Sequence, residues 1–230
     1  MTANGKSKSP VLVVVQLTGG NDFMNTIIPY TSNEYYDNRP TINIPQDQVL
    51  PIDDTLGFHP NAGPIKEFYD RGQMAVVQGI GYPNSNRSHF RGMDIMHTCE
   101  PDKISSEGWL GRATSELDSD QENVLTCISF GRGLPRAVTM PGVPVTSVGD
   151  LDSYGMLTGI TELEQRHEAL KIFKDMYGQA IGSGPVMEYM SQTGIDVLKG
   201  EDLLKQAPAK YSSEVEYADN SIAKGLRDVA

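Results

Sequence analysis

Two side chains, Asp22 and Ser88, combine a reactive group with a setting in which it could act. Asp22 follows an aliphatic run at residues 11–16, and Ser88 lies in the polar segment 81–90 after a second such run at 74–78. A carboxylate in this position can hold a metal ion or orient a substrate, and a serine hydroxyl can act as a nucleophile or anchor an anion. Both also have a structural interpretation, because Asp and Ser are preferred N-cap residues.

The two aliphatic runs predict buried parallel strands. Residues 11–16, VLVVVQ, are β-branched or aliphatic before the glutamine, which is typical of a strand covered on both faces. Residues 74–78 repeat this character, and an amphipathic helix is predicted between the runs at 64–71. The order of strand, helix and strand along the chain favours a parallel pair of strands with a right-handed crossover. Both strands should then end at one edge of the sheet, where ligands bind, and bring Asp22 and Ser88 together.

The rest of the chain predicts further helices and two weaker strands. Gly72 is expected to end the helix at 64–71, and the prolines between 39 and 51 exclude a long helix there. Residues 1–150 are expected to form the core of the sheet, and 151–230 a mainly helical part. The other predicted helices are 33–36, 90–98, 109–117, 161–177, 185–205 and 220–230, and the predicted strands are 123–129 and 143–148.

Composition excludes some functions. The 230 residues carry a net charge of −11, which disfavours binding to nucleic acid. No apolar run reaches the roughly 20 residues that span a bilayer. The N-terminal apolar run is too short for a secretory signal, so the sequence as written predicts a cytoplasmic protein. Cys99 and Cys127 lack the spacing of a metal knuckle, which leaves a disulfide or, as the preferred interpretation, buried free thiols.

Three segments of the first hundred or so residues resemble a known family. They are LVVVQLTGGNDFMNTIIPY, YYDNRPTINIP and IKEFYDRGQMAVVQGIGYPNSNRSHFRGMDIMHT, in this order along the chain. Together they resemble the uncharacterised bacterial proteins of the domain-of-unknown-function 1501 family, which is classed with the alkaline phosphatase and sulfatase superfamily. The resemblance implies a doubly wound, mainly parallel α/β/α sandwich. Residues 1–230 would be the N-terminal portion of one such domain, incomplete and with a helical C-terminal part.

The resemblance also implies a metal-dependent hydrolase of small-molecule phosphate or sulfate esters. Asp22 matches the aspartate that binds a divalent metal (Zn, Mn, Mg or Ca), and Ser88 matches the nucleophile. Two such ions would polarise the transferred group and activate the hydroxyl. Polar residues of the same two loops would surround them, namely Asn21, Asn25, Thr26, Asn86 and His89.

The sequence departs from the family in two ways. Family members continue into segments with further Asp and His ligands, so we expect the chain as given to lack a complete site and to be inactive by itself, and it could lack the metal that the full-length parent binds. Many members carry a twin-arginine export signal that does not occur here, which leaves the localisation open. Of the other histidines, His59 is expected in a turn, His97 in a structural role and His167 in solvent.

Two alternative functions remain at this stage. The chain could belong to a non-catalytic relative that serves as a binding or interaction domain. It could also be a serine esterase, because GGND resembles a Gly-X-Asn-Asp block of the GDSL-type lipases, in which the asparagine donates to an oxyanion. That family requires an upstream Gly-Asp-Ser block, and residues 1–10 contain none.

Overall fold

Helices and short strands alternate along the chain, which has a mixed α/β fold. The computed structural model describes residues 10–17, 21–120, 123–131, 133–151, 154, 159–160, 162–180, 184, 193, 196–197, 200–201, 204, 206–208 and 210–230, without the side chains of 163, 167, 174 and 177–180. The chain divides into an N-terminal unit, Met1–Ile80, and a C-terminal unit, Gly81–Ala230.

The N-terminal unit is built on a small antiparallel sheet of two-residue strands. Its strands lie in the order β1-β3-β2, with Phe58 opposite both Ile27 and Leu50. The elements of the unit are α1 (Phe23–Thr26), β1 (Ile27–Ile28), α2 (Asn33–Asn38), β2 (Leu50–Pro51), β3 (Gly57–Phe58) and α3 (Gly63–Asp70), with 3-10 turns at Gln46–Gln48 and Pro60–Ala62. The helical turn predicted at 33–36 is therefore confirmed as the start of α2.

The core of this unit lies between the sheet and α2. Ile28, Tyr35 and Val49 are buried against one another, and Phe58 is buried and makes an edge-to-face contact with Tyr69 at 5.8 Å. Each of these large side chains gains about 1.5–3 kcal/mol when it leaves water. The core therefore fixes β1, which directly follows α1, relative to α2.

The amphipathic helix predicted at 64–71 is confirmed as α3, and so is the role of Gly72. Gly72 has a φ of 67°, its N–H donates to Tyr69 O at 2.9 Å, and the N–H of Gln73 donates to Phe68 O at 2.9 Å. These two bonds form a Schellman motif, in which glycine takes the left-handed position at no steric cost. The helix ends where the glycine predicts.

The strands predicted at 11–16 and 74–78 do not form in this structure. Both runs are described, and neither pairs in a ladder or is buried: Val11 is 84% exposed and Val77 72%. The prediction of these strands was wrong because an aliphatic composition indicates only that a segment tends to be buried. A strand also needs a neighbouring strand to satisfy its N–H and C=O groups, and the antiparallel sheet uses other residues.

The C-terminal unit contains a two-stranded parallel sheet and several helices. Strand β4 (Ile128–Phe130) pairs with β5 (Thr146–Val148), with Ile128 opposite Thr146. Both lie within or beside the predicted strands at 123–129 and 143–148, and the parallel orientation agrees with an α/β architecture. The helices are α4 (His89–Thr98), α5 (Trp109–Leu117), α6 (Leu163–Ala180) and α7 (Ser221–Val229).

Most of the described helices of this unit lie where the sequence predicts them. Helices α4 and α5 confirm the predictions at 90–98 and 109–117, and α7 confirms the one at 220–230. The helix predicted at 161–177 is confirmed as α6, which begins at Leu163 and ends at Ala180. Asn220 caps α7 by accepting from the N–H of Ala223 at 2.9 Å. The helix predicted at 185–205 lies for the most part outside the described residues.

Two structural expectations concern cysteines and membranes. Cys99 and Cys127 are both free, but Cys99 is exposed and Cys127 only half-buried, so the expectation of two buried thiols was wrong for Cys99. Cys99 is exposed because it lies at the C-cap of α4 with a φ of 54°.

Over the described residues, no helix combines the length and apolar character needed to cross a bilayer.

Helices α4 and α5 pack closely against the segment 136–140. The N–H of Gly108 donates to Thr139 O at 2.7 Å, and Arg136 pairs with Asp94 of α4 at 2.7 Å. The approach at Gly108 is so close that a Cβ there would lie 2.0 Å from Arg136 O. Glycine at this position is therefore a requirement of the packing.

We predict opposite effects for two glycine-to-alanine substitutions. Gly108→Ala should lower the free energy of unfolding by about 2–3 kcal/mol, because the new methyl group meets a backbone carbonyl that cannot move freely. Gly92→Ala, inside α4, meets nothing within 4 Å and should raise it by about 0.5–1 kcal/mol. Urea unfolding measures both, and equal effects of the two changes would contradict the packing described here.

Candidate functional site

Asp22 lies at the N-cap position of α1, but its side chain does not cap the helix. Its backbone is extended, and no capping hydrogen bond forms from its carboxylate. The Thr26 hydroxyl lies 2.9 Å from Asp22 O and 3.0 Å from Asn21 Oδ1, and it holds the loop onto the end of α1. The backbone N–H groups of Asn25 and Met24 still lower the pKa of the Asp22 carboxyl, so the first turn of α1 contributes to the surroundings of the carboxylate.

The carboxylate of Asp22 pairs instead with Arg39. Arg39 Nη1 donates to Asp22 Oδ2 at 2.5 Å, with the side chain of Asp22 41% exposed and that of Arg39 22%. The hydrogen bond from Arg39 lowers the pKa of the Asp22 carboxyl below its ordinary value, although partial desolvation opposes it. Asp22 is consequently an anion at neutral pH and into more acidic solution than an ordinary aspartate.

Asn25 presents a second oxygen to the same nitrogen. Its Oδ1 lies 3.5 Å from Arg39 Nη1 and accepts a hydrogen bond from the Tyr35 hydroxyl at 2.7 Å. Its Nδ2 donates to Ile42 O at 2.8 Å. Hydrogen bonds hold both the oxygen and the nitrogen of the Asn25 amide, and the oxygen faces the Arg39 guanidinium, which also contacts Asp22.

Tyr35 holds this arrangement in place. Its ring is 3% exposed, and its hydroxyl accepts from the N–H of Ile44 at 2.9 Å while it donates to Asn25. A buried hydroxyl is stable only when its donor and acceptor are both satisfied. Through these two bonds, Tyr35 connects α2 to α1 and to residue 44.

The groups near Asp22 are hard oxygen donors. A carboxylate, two amide oxygens and a hydroxyl come from Asp22, Asn21, Asn25 and Thr26, and such donors suit Mg²⁺, Mn²⁺ or Ca²⁺ better than Zn²⁺. Within the described residues, no three or more His, Cys, Asp or Glu side chains form a group that could hold a metal ion. Donors of this kind are those that a hard divalent cation prefers.

Ser88 is the N-cap of α4, in agreement with its structural interpretation. Its Oγ accepts from the N–H of Arg91 at 3.4 Å, and Asn86 Oδ1 accepts from the N–H of Ser88 at 2.8 Å. Ser88 and the neighbouring His89, the first residue of α4, are both exposed. The hydroxyl has a capping role, and its long hydrogen bond leaves it accessible to solvent.

The structure gathers the predicted residues into two groups. Asn21, Asp22, Asn25 and Thr26 lie together in the N-terminal unit, and Asn86, Ser88 and His89 lie together in the C-terminal unit. The meeting of Asp22 with Ser88 remains a prediction. His59 accepts from the N–H of Asn61 through Nδ1 at 3.1 Å, as expected of a turn residue, and the side chain of His167 lies outside the described residues.

Sequence reasoning gave no role to Arg39 or Tyr35. One signal could have identified Arg39: it is the one lysine or arginine between residues 9 and 65, a stretch that contains Asp22 and several other acids. Tyr35 carries no comparable signal, because its role depends on which backbone groups the fold places around its hydroxyl.

Comparison with protein-family models, with curated proteins and with solved structures found no match to this chain. The resemblance of the sequence to a hydrolase family therefore stays a prediction, and the functional assignment depends on the side-chain geometry.

We predict that Tyr35→Phe lowers the free energy of unfolding by about 1–3 kcal/mol. The substitution leaves the partly buried N–H of Ile44 and one side of the partly buried Asn25 amide oxygen without a partner. Tyr30→Phe is the matched control, because it also removes one hydroxyl, from a bond to Asp53 O at 2.6 Å in a more exposed place. Urea denaturation measures both, and a Tyr35→Phe protein no less stable than the control would contradict this role.

Proposed function

We propose that the chain contributes to a divalent-cation-dependent hydrolase of phosphate or sulfate esters, with Asp22 as a cation ligand and Ser88 as the nucleophile. The observation that carries the proposal is the convergence of two oxygens, Asp22 Oδ2 and Asn25 Oδ1, on one cationic nitrogen of Arg39. A position that attracts a guanidinium through oxygen atoms also attracts a metal cation.

The state of Asp22 supports its role as a ligand. Metal ligands must be deprotonated, and the lowered pKa of Asp22 keeps its carboxylate charged. Asn25, held by Tyr35 and Ile42, offers its amide oxygen without a further loss of side-chain freedom. A bound divalent cation would polarise a phosphoryl or sulfuryl oxygen of the ester.

The position of Ser88 supports its role as nucleophile. Its exposed hydroxyl lies at the N-terminus of the ten-residue helix α4, where the helix dipole favours negative charge. In the proposed reaction, Ser88 Oγ attacks phosphorus or sulfur, the ester oxygen departs as an alcohol, and water then cleaves the ester of Ser88. An anionic group on Ser88 would lie beside the free N–H groups of the first turn of α4.

We further propose that the mixed α/β fold of the chain is part of a doubly wound, mainly parallel α/β/α sandwich in the functional protein. The exposed aliphatic side chains of residues 11–16 and 74–78 support further packing of this kind, since apolar surface gains about 25 cal/mol per Å² when it leaves water.

We predict that Asp22→Asn removes the stimulation of hydrolysis by divalent cations. With p-nitrophenyl phosphate or sulfate as substrate and added Mn²⁺, the rate of hydrolysis should fall by more than about a hundredfold, because a neutral amide is a weaker ligand than the carboxylate it replaces. Asp37→Asn makes the same change of charge at an exposed position of α2 and should leave the rate unchanged. Equal rates for Asp22→Asn and wild type would refute the role of Asp22.

A second substitution separates the two roles of Ser88. Ser88→Asn keeps an N-cap acceptor, so α4 and the stability of the protein should be preserved, whereas Ser88→Ala should cost about 1 kcal/mol. Both variants should lose hydrolysis by more than about a thousandfold, because neither has a hydroxyl. A folded, active Ser88→Asn protein would show that Ser88 is a cap alone and that another group is the nucleophile.

A further inference from the structure

The nitrogen that contacts Asp22 occupies the place where a bound cation would lie. Arg39 Nη1 is 2.5 Å from Asp22 Oδ2 and 3.5 Å from Asn25 Oδ1. A divalent ion that used both oxygens would need the same space, and its charge would repel the guanidinium. The pair and the ion therefore compete for one position.

The backbone of Arg39 is fixed independently of its side chain. Arg39 ends α2, its N–H donates to Tyr36 O, and its carbonyl accepts from the N–H of Asn43 at 3.0 Å and from Asn43 Nδ2 at 2.7 Å. The side chain approaches the Tyr35 ring, with its guanidinium carbon 6.0 Å from the ring centroid. The guanidinium can leave Asp22 by side-chain rotation while these backbone bonds remain.

We propose that Arg39 is the counter-ion of Asp22 in the metal-free protein, and that a divalent cation must displace it to bind. The proposal rests on the proposed function, because it regulates the same cation site. Arg39 is a positioning residue in this scheme: it holds the empty carboxylate in place, prevents it from binding stray cations tightly, and sets the cation concentration at which the site fills.

The experiment measures Mn²⁺ binding by following free Mn²⁺ with electron paramagnetic resonance. Arg39→Gln removes the charge and keeps the backbone bonds, so it should bind Mn²⁺ about tenfold more tightly than wild type. Arg71→Gln is the matched control, because it removes the same charge from an exposed side chain of the N-terminal unit that contacts Gln73 and the Phe68 ring. It should bind Mn²⁺ like wild type.

Asp22→Asn, alone and combined with Arg39→Gln, shows which part of the binding depends on Asp22. If the binding depends on Asp22 but is no tighter in Arg39→Gln than in wild type, the counter-ion role is overturned and the cation site survives. If Arg39→Gln shows no binding that depends on Asp22, both proposals are overturned, since removal of the competing cation must expose the site.

The second readout is chemical modification of Arg39 by phenylglyoxal, followed by mass spectrometry. In wild type, Mn²⁺ should accelerate modification of Arg39, because the displaced guanidinium is released into solvent, and should leave Arg71 unchanged. An Arg39 modification rate that Mn²⁺ does not alter would also overturn the counter-ion role. If the role of Arg39 is purely structural, Arg39→Gln does not change the affinity for Mn²⁺, and Mn²⁺ does not change the rate at which Arg39 is modified.

Discussion

The N-terminal unit depends on the two hydrogen bonds that the Tyr35 hydroxyl makes. This hydroxyl is buried among apolar side chains, and it is tolerated there because it donates to Asn25 and accepts from the N–H of Ile44. Through Asn25 it determines which way an amide oxygen faces, and the guanidinium of Arg39 then lies between that oxygen and Asp22. One core residue thus gives a surface carboxylate a defined partner and direction.

The C-terminal unit holds the helix of Ser88 in a different way. Arg91 donates through Nη2 to three backbone carbonyls, those of Glu100, Pro101 and Lys103, while Asp94 pairs with Arg136. These contacts anchor α4 along its length and past its C-terminal end. Its first residues remain in water, so the N-terminus of α4 is fixed in position and still accessible to a ligand.

The features that the sequence predicts well have local causes. Gly72 ends α3, and Ser88 begins α4, because a left-handed turn and an N-cap depend on residues within one helical turn. The strands of the N-terminal unit were predicted poorly, since β1 and β3 have two residues each and show no periodicity. The ion pair of Asp22 with Arg39 spans 17 positions and depends on a tertiary arrangement that no local pattern specifies. The partner of the candidate carboxylate was therefore not predictable from the sequence.

The exposed aliphatic run at residues 11–17 has a consequence for how the protein behaves in concentrated solution. It contains neither proline nor glycine, and no charged residue occurs between Lys8 and Asp22 to act as a gatekeeper. Uncharged β-branched segments of six or seven residues are those that stack into cross-β fibrils when they meet their own copies. Because self-association of this kind rises steeply with concentration, burial of the run decides whether the protein stays dispersed at high expression levels.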